Sequence, residues 1–261
     1  MRSNRAVVVV LQVGLFVGLV AAWETASRNH WIDPFFYSRP SAIWAADVQW
    51  VRDGTLARNV GITVWECVAS FVFGVLGGLV VGFLLGRSHF WSRVLNPYVQ
   101  VLNAIPRLIL APIFLLLFGL GANSKIALGV SLVFFIVFFN AYQGVREVDR
   151  NVLNNARLLG AGRWQLTWHV YLPSAMSWIL SSLHTSVGFA IAGAVVGEYL
   201  GSSSGIGYLI SEAEGNFHPD EVFAGMAVLC LFVIVVEVAV TELERRLVRW
   251  KPPAAGEAQV V

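Results

Sequence analysis

Charged residues are scarce in this sequence. They make up 13% of its 261 residues, whereas a soluble globular domain carries about 25%. Hydrophobic residues make up 57%, and the net charge is only +2. This composition excludes an ordinary soluble domain and indicates a chain that lies mostly in lipid. A charge so small gives no indication of a nucleic-acid partner.

Lysine and cysteine are rarer still. The chain has two lysines, Lys125 and Lys251, and neither follows a glycine, so the phosphate-binding loop GxxxxGKS/T is absent. The two cysteines, Cys67 and Cys230, lie in apolar runs and are typical of small buried hydrophobes. The five histidines are scattered along the chain. We therefore expect no enzyme activity, no metal site and no cofactor on this chain.

Long apolar runs take the place of charge. A membrane-spanning helix needs about 20 apolar residues, and six segments qualify: 7–23, 60–85, 97–119, 126–142, 175–196 and 222–240. Arg2 and Arg5 precede the first segment, and basic residues before an apolar stretch are also typical of a signal peptide. No convincing small-residue cleavage site precedes Glu24, so we expect an uncleaved span. The sequence thus predicts an all-α integral membrane protein with six transmembrane helices.

The basic residues give the orientation of these spans. With both termini inside, twelve of the eighteen Lys and Arg residues fall in the inner segments, as the positive-inside rule requires. The last outer loop, 198–221, has no Lys or Arg but contains five acids. We expect the N-terminus and the C-terminus in the cytoplasm, and the acidic loop is either a docking surface or an ordinary solvated loop.

One inner loop, residues 144–173, contains a broken amphipathic segment. Asp149 can cap a short helix, and Gly160 suits a left-handed helix end. A second short helix is expected at 163–170, with Pro173 at the start of the next span. The periodicity leaves two interpretations open: a helix lying on the lipid surface, or a docking surface for a cytoplasmic partner.

The end of this loop, NNARLLGAGRWQLTWHVYLP, resembles the cytoplasmic motif of ABC importer permease subunits. That motif is Glu-Ala-Ala, three residues, Gly, about nine residues, then a hydrophobic residue and Leu-Pro. Ala156, Gly160, Leu172 and Pro173 match it. Asn154 and Asn155 depart from it, and the missing carboxylate weakens an ion pair expected there.

Three other blocks are similar to the nitrate, taurine and alkanesulfonate branch of these binding-protein-dependent permeases. They are GTLARNVGITVWECVASFVFG, NPYVQVLNAIPRLILAPIFLLLFGLG and VVGEYLGSSSGIGYLI. The resemblance covers about residues 54–250 and implies the type I ABC importer architecture. It divides the chain into a first helix and external loop (1–53), a permease domain (54–245) and a cytoplasmic tail (246–261).

The resemblance also implies partners. Two cytoplasmic ATPase subunits would carry ATP and Mg²⁺, a separate extracytoplasmic binding protein would deliver a small solute, and two permeases, as a homodimer or a heterodimer, would form the path in the inner (plasma) membrane. The solute would be an organic anion such as a sulfonate or nitrate, an aromatic acid or a vitamin precursor. The expected ATPase-docking residues are Ala156, Arg157, Leu158, Leu159, Gly160, Arg163, Trp164, Leu172 and Pro173.

Four ionisable residues are candidates for the translocation path or its gate: Glu66, Arg107, His184 and Glu198. Charge inside a membrane is costly and needs a reason. Arg107 either faces the path and favours a negative solute, or pairs with Glu66 or snorkels. His184 either lines a polar path or hydrogen-bonds a neighbouring helix. The alternative function is an ion-coupled secondary transporter that uses Glu66.

Two groups of glycines predict close approach of backbones. Gly74, Gly77, Gly78 and Gly82 lie along one span and suit either helix packing or a dimer seam. Gly201, Gly205 and Gly207 follow the fifth span, where we expect an irregular re-entrant or outer-gate segment whose backbone is buried in protein or faces water.

Overall fold

The computed structural model describes residues 2–247, in which every regular element is helical. The tail predicted at 246–261 lies outside the described residues from position 248 onward. The α-helices are, in chain order, α1 Arg2–Arg28, α2 Pro34–Tyr37, α3 Pro40–Arg52, α4 Thr55–Arg87, α5 His89–Ala104, α6 Ala111–Phe118, α7 Ala122–Arg146, α8 Arg150–Leu158, α9 Arg163–Leu166, α10 Leu172–Leu200, α11 Ile206–Gly215 and α12 Pro219–Leu247.

The described residues contain five helices long and apolar enough to cross a membrane, and a sixth span if one bent pair counts as a single crossing. The five are Val7–Arg28, Thr55–Arg87, Ala122–Arg146, Arg163–Leu200 and Pro219–Arg246. The all-helical prediction is confirmed. The span predicted at 97–119 is interrupted next to Pro106, where a proline can kink a helix: it bends by 82° between Ala104 and Arg107.

Proline explains this bend. Ile105 and Pro106 adopt extended backbone angles between α5 and a short 3₁₀ turn, Arg107–Leu110. Pro106 has no amide hydrogen to donate to the preceding turn, and its ring disfavours a helical Ile105. Arg107 therefore lies at a corner between two helices.

The core of the bundle consists of α4, α7 and α10. A Cβ atom on Gly78 would lie 2.7 Å from the carbonyl oxygen of Phe134, and one on Gly193 would lie 2.5 Å from the Cα atom of Gly129. These distances leave no room for any other residue type. The stripe of Gly74, Gly78 and Gly82 thus packs against α7 of the same chain, so the packing interpretation of these glycines holds and the dimer-seam interpretation is wrong.

Helix α1 is attached to the rest of the chain at its outer end. In its most apolar stretch of 18 residues, no residue is buried. Near its end, the Ser27 hydroxyl donates to the Ser38 carbonyl over 2.8 Å, and the Glu24 carboxylate accepts from the Ser41 amide over 3.0 Å. The span itself remains free to contact lipid or another subunit.

A local cap begins the first core helix. The Asp53 carboxylate accepts a 2.9 Å hydrogen bond from the Thr55 amide, and this bond holds the pKa of Asp53 below its usual range. Gly54 supplies the left-handed turn between them, with φ of +81°. Helix α4 then runs for 33 residues, enough to cross the bilayer with turns to spare.

Candidate functional site

Helix α8 forms the tip of the inner loop, and its two ends are fixed by local hydrogen bonds. The Asp149 carboxylate accepts from the Asn151 amide over 2.7 Å. At the other end, the Gly160 amide donates to the Arg157 carbonyl and the Ala161 amide to the Ala156 carbonyl. This pair is a Schellman motif, and Gly160 has the positive φ, +85°, that it requires. Both sequence-based expectations for this helix are confirmed.

A small apolar core lies under α8. Val148, Leu166 and Val170 are buried in it, and Leu153 and Ala156 pack against it. Ala156 therefore packs against its own loop and is only partly exposed, so its assignment as a contact for a partner stays a prediction. It is small because the helix lies close to this core.

The second part of the loop differs from the expected separate short helix. Residues 163–200 form one uninterrupted helical segment of 38 residues, with a π-helical turn at Thr167–Tyr171. In this turn the Leu172 amide donates to the Thr167 carbonyl, five residues back. Pro173 lacks an amide hydrogen, so it cannot restore the ordinary pattern. Leu172 is partly buried against the cluster of α7 and α10, while Pro173 is exposed.

The outer surface of the loop is apolar and basic. Leu158 is 85% exposed, Leu159 is 88% exposed, and Trp164 is 72% exposed. Arg157 and Arg163 flank them and are also exposed. We call these five residues the docking face. Large exposed side chains of this kind, grouped beside a tight turn, are typical of an interaction site.

A residue that the sequence analysis missed connects this loop to the bundle. Arg87, the last residue of α4, donates through Nη1 to the Thr167 hydroxyl over 2.7 Å. Its guanidinium also lies 5.5 Å from the centroid of the Tyr171 ring. The bond crosses 80 positions of sequence, so no local pattern indicates it.

At the outer side of the bundle, the structure brings two of the four path candidates together. The carboxyl groups of Glu66 in α4 and Glu198 in α10 face each other, and both are buried. Two neighbouring carboxyl groups can share a hydrogen bond only if one of them carries a proton. Lys125 of α7, also completely buried, is the cation that faces both groups, and the sequence analysis did not assign it to a site.

Lys125 also holds a backbone turn. Its Nζ atom donates to the carbonyl of Leu120 and, over 3.1 Å, to that of Gly121, in the linker between α6 and α7. Glu66 has one buried oxygen, Oε2, without a hydrogen-bond partner in the described part of the chain. The three side chains form a compact polar cluster in which the Lys125 ammonium offsets one negative charge, which lowers the cost of burying them.

Arg107 lies elsewhere. Its Nη2 atom donates to Asn103 Oδ1 over 2.5 Å, and its guanidinium lies 4.2 Å from the centroid of the Phe135 ring. The predicted pairing with Glu66 is therefore wrong, since Glu66 contacts Glu198 instead. The Nε atom of Arg107 is buried and finds no hydrogen-bond partner among residues 2–247.

His184 contacts the neighbouring helix α12. Its Nε2 atom lies 2.9 Å from Glu237 Oε1, and its Nδ1 atom lies 3.3 Å from Glu244 Oε2. This arrangement agrees with the structural interpretation of His184. The residue also borders an apolar cavity of about 400 Å³ between α4, α10 and α12. The lining is almost entirely aliphatic and aromatic, which suits hydrocarbon better than a polar solute.

Comparisons with known proteins agree on one family. Residues 74–250 match the family described as "Binding-protein-dependent transport system inner membrane component". A putative aliphatic sulfonates transport permease protein, SsuC of Bacillus subtilis (strain 168), is 32% identical over 91% of this chain and 86% of its own length. The taurine transport system permease protein TauC of Escherichia coli (strain K12) is 29% identical over 96% and 92%.

A third relative has a different name. The formylaminopyrimidine transport permease protein ThiX of Halalkalibacterium halodurans is 34% identical over 90% of this chain and 94% of its own length. Among solved structures, a chain of the MetNI methionine ABC transporter, in inward-facing conformations, shares the fold with a TM-score of 0.64 at 20% identity, over 76% of this chain and 96% of that one.

Family membership also gives the class of activity. Members are transport components of the inner membrane that work with a binding protein, not catalytic enzymes. The five or six apolar helices fit a multi-pass protein of the plasma membrane. The chain belongs to the family of binding-protein-dependent transport system inner membrane components, and it is a permease subunit of an ABC importer.

Proposed function

We propose that the docking face, Arg157, Leu158, Leu159, Arg163 and Trp164, binds the cytoplasmic ATPase subunit, which carries ATP and Mg²⁺. The observation that carries this proposal is the exposure of Leu158 and Leu159, 85% and 88%, beside a rigidly capped turn. The backbone of this turn is already ordered, so little backbone freedom is lost when a partner covers the two leucines. Arg157 and Arg163 supply charge for acidic groups of that partner.

The connectivity supports the same assignment. In the orientation expected from the charge distribution, the described chain has two connections on the cytoplasmic side. The turn from α4 to α5 has one residue, Ser88, outside the helices, whereas the connection from α7 to α10 includes α8, α9 and their turns. The longer loop is the one large enough to fill a groove of another subunit. A lipid-surface helix would instead turn its leucines into the bilayer.

The loop also has the stiffness needed to transmit force. The helical segment 163–200 is 38 residues long, or about 57 Å at 1.5 Å per residue. It begins at the docking face and ends next to Glu198, on the opposite side of the bundle. Arg87 joins the same loop to α4. Movement of the ATPase can thus reach the outer end of the bundle through two core helices.

The solute path lies, in this proposal, between two copies of the chain. Within one chain, α7 and α10 cross at backbone contact, since a Cβ on Gly193 would lie 2.5 Å from Gly129 Cα. Helices that close leave no room for a solute between them. A homodimer supplies the second wall, and the mass of the detergent-solubilised complex tests its stoichiometry.

We infer that the solute is a small organic anion, and that Arg107 favours its negative group. Two of the relatives described above are named for sulfonates and taurine. Arg107 sits at the corner between two helices of a broken span, and its Nε atom is without a hydrogen-bond partner among residues 2–247. A guanidinium is well suited to a sulfonate or carboxylate because it donates two parallel hydrogen bonds. The comparisons give no support to the ion-coupled alternative through Glu66.

The docking proposal is tested by affinity purification of the tagged chain from native membranes in mild detergent. Leu159→Asp should lose the co-purifying P-loop ATPase, because it places a charge where the partner's apolar groove is expected. Val51→Asp is the matched control: Val51 is 63% exposed but belongs to α3 on the opposite side of the membrane. Equal recovery of the ATPase with both variants would contradict the proposal.

A further inference from the structure

Three consecutive backbone amides at the start of α11 are bound by side chains from other helices. Such amides have no partner inside their own helix and need one elsewhere. The bonds run from the Gly205 amide to Asn59 Oδ1 (2.7 Å), from the Ile206 amide to Thr63 Oγ1 (3.0 Å) and from the Gly207 amide to Glu198 Oε2 (2.8 Å).

These contacts are buried and connected to one another. Thr63 and Glu198 are completely buried, and Asn59 is 6% exposed. The Thr63 hydroxyl also donates to Glu198 Oε1 over 2.7 Å. A carboxylate at a helix N-terminus is electrostatically favourable, and the effect grows where water is excluded. The three side chains thus act as one unit that holds the first turn of α11.

The backbone approaches so closely that only glycine fits. Gly205 has φ of +110°, and a Cβ there would lie 2.1 Å from the carboxyl carbon of Glu198. A Cβ on Gly207 would lie 2.3 Å from the carbonyl oxygen of Val195. Helix α11 is therefore seated directly on the end of α10, without intervening side chains.

The start of α11 lies beside two other features of the outer side of the bundle, a polar cavity and Lys125. Helix α11 forms one wall of an open polar cavity of about 420 Å³, bordered by Tyr199, Tyr208 and Asn216. Lys125 packs under the end of α10, because a Cβ on Gly197 would lie 2.9 Å from its Cγ atom. Through its bonds to the linker between α6 and α7, Lys125 connects the broken span to the end of α10 on which α11 packs.

We propose that Asn59, Thr63 and Glu198 form a latch that positions α11 over the outer end of the translocation path, and that the latch opens during solute transfer. The proposal rests on the proposed function, in which the bundle alternates between inner and outer access. The three residues are positioning residues, which act through α11. With the latch closed, the outer end is closed; when it opens, the first turn of α11 moves away from α4.

The test uses the complete transporter, reconstituted in liposomes, and measures ATP hydrolysis without the binding protein. Thr63→Val keeps the shape of the side chain but removes the hydroxyl. Because the hydroxyl makes two latch bonds and each lost hydrogen bond shifts a two-state equilibrium about five-fold, the variant should raise this basal hydrolysis by at least about five-fold and reduce the further stimulation by the binding protein. Thr63→Ser should restore the wild-type values.

Ser70→Ala is the matched control. Ser70 lies two turns further along α4, is buried, and donates to the Ile126 carbonyl of α7 rather than to α11. It should leave basal hydrolysis unchanged. Thr63→Val that behaves like wild type and like Ser70→Ala would overturn the latch.

A second measurement needs no variant. Amide hydrogen exchange of the peptide that includes 205–207 should be slow in the nucleotide-free complex and faster when the binding protein and vanadate-trapped nucleotide are present. Equal exchange in the two states would overturn the latch while leaving the proposed function intact. A wild-type chain that recovers no ATPase would instead contradict the proposed function and, with it, the latch.

Discussion

The cytoplasmic loop and the outer latch are both held by hydrogen bonds, but over very different distances in sequence. The bonds that end α8 join Gly160 to Arg157 and Ala161 to Ala156, within five positions. Three of the four latch bonds join positions 146, 143 and 135 apart, and only the bond from Gly207 to Glu198 is local, at nine positions. The loop is thus a nearly self-contained unit that a local change can deform. The latch exists only when α4, α10 and α11 are already in place, so it reports on their relative position.

The largest effect is expected from a substitution in α10, because the cytoplasmic loop and the latch both depend on this helix. Gly193→Val should prevent stable folding, because its Cβ would lie 2.5 Å from Gly129 Cα and overpacking costs about 1–3 kcal/mol or more. The yield of monodisperse protein in size-exclusion chromatography measures this. Gly188→Val on the same helix should be tolerated, since nothing lies within 4 Å of its Cβ position; equal loss with both would show that the crossing is not tight.

The next substitution should affect the cytoplasmic loop and leave the latch unchanged. Gly160→Val should reduce ATPase recovery about tenfold without loss of folded protein, because a non-glycine residue at φ of +85° costs about 1–2 kcal/mol and displaces the docking face. Co-purification of the ATPase provides the measurement. Gly162→Val is the control, since Gly162 has φ of −71° and a Cβ there would make only an ordinary contact, 3.8 Å from Gln165 Oε1. Normal recovery with Gly160→Val would mean that the turn does not position Leu158 and Leu159.

Arg107 lies between the two regions and should affect neither. Arg107→Ala is expected to lower uptake of an anionic solute about tenfold, the effect of a lost charge-assisted hydrogen bond of about 1.5–3 kcal/mol, with normal ATPase recovery and normal thermal stability. Arg58→Ala, an exposed arginine near the outer end of α4, serves as the control. Unchanged transport and folding in Arg107→Ala would remove Arg107 from the path.

The smallest effect concerns the contact that joins the loop to α4. Thr167→Val and Arg87→Gln should each lower ATP-driven uptake about two- to five-fold, because a solvent-exposed contact of this kind contributes about 0.2–1 kcal/mol. The double variant should be no worse than the Arg87→Gln single variant, since both changes remove the same bond. Additive losses would show that Arg87 acts through its contact with Tyr171 instead.

This contrast also explains what the sequence could predict. The ends of α8 follow from Asp149 and Gly160, because capping and left-handed turns depend on neighbouring residues alone. Periodicity and hydropathy identified five spans because they, too, depend on residues that are close together in the sequence. Hydropathy is continuous across the bend at Pro106, so the kink there could be expected only from the proline itself.

Long-range contacts were beyond such patterns. Glu66 and Glu198 were recognised as costly charges, but nothing local showed that they contact each other or that Lys125 faces both. Arg87 looked like one more basic residue at the inner end of a span. Ala156 matched the family motif, yet the motif does not say whether a residue faces its own loop or a partner.

The buried lysine constrains the order in which the protein enters the membrane. Glu66 is synthesised before Lys125, and Glu198 follows 73 residues after the lysine. When α7 leaves the insertion machinery, the only carboxylate of the cluster already in the membrane is that of Glu66. Pairing with it lowers the cost of leaving a cation in hydrocarbon. Helices α4 and α7, which run in the same direction, are thus the first two core helices to pair, and α10 later adds Glu198 to a charge pair that has already formed.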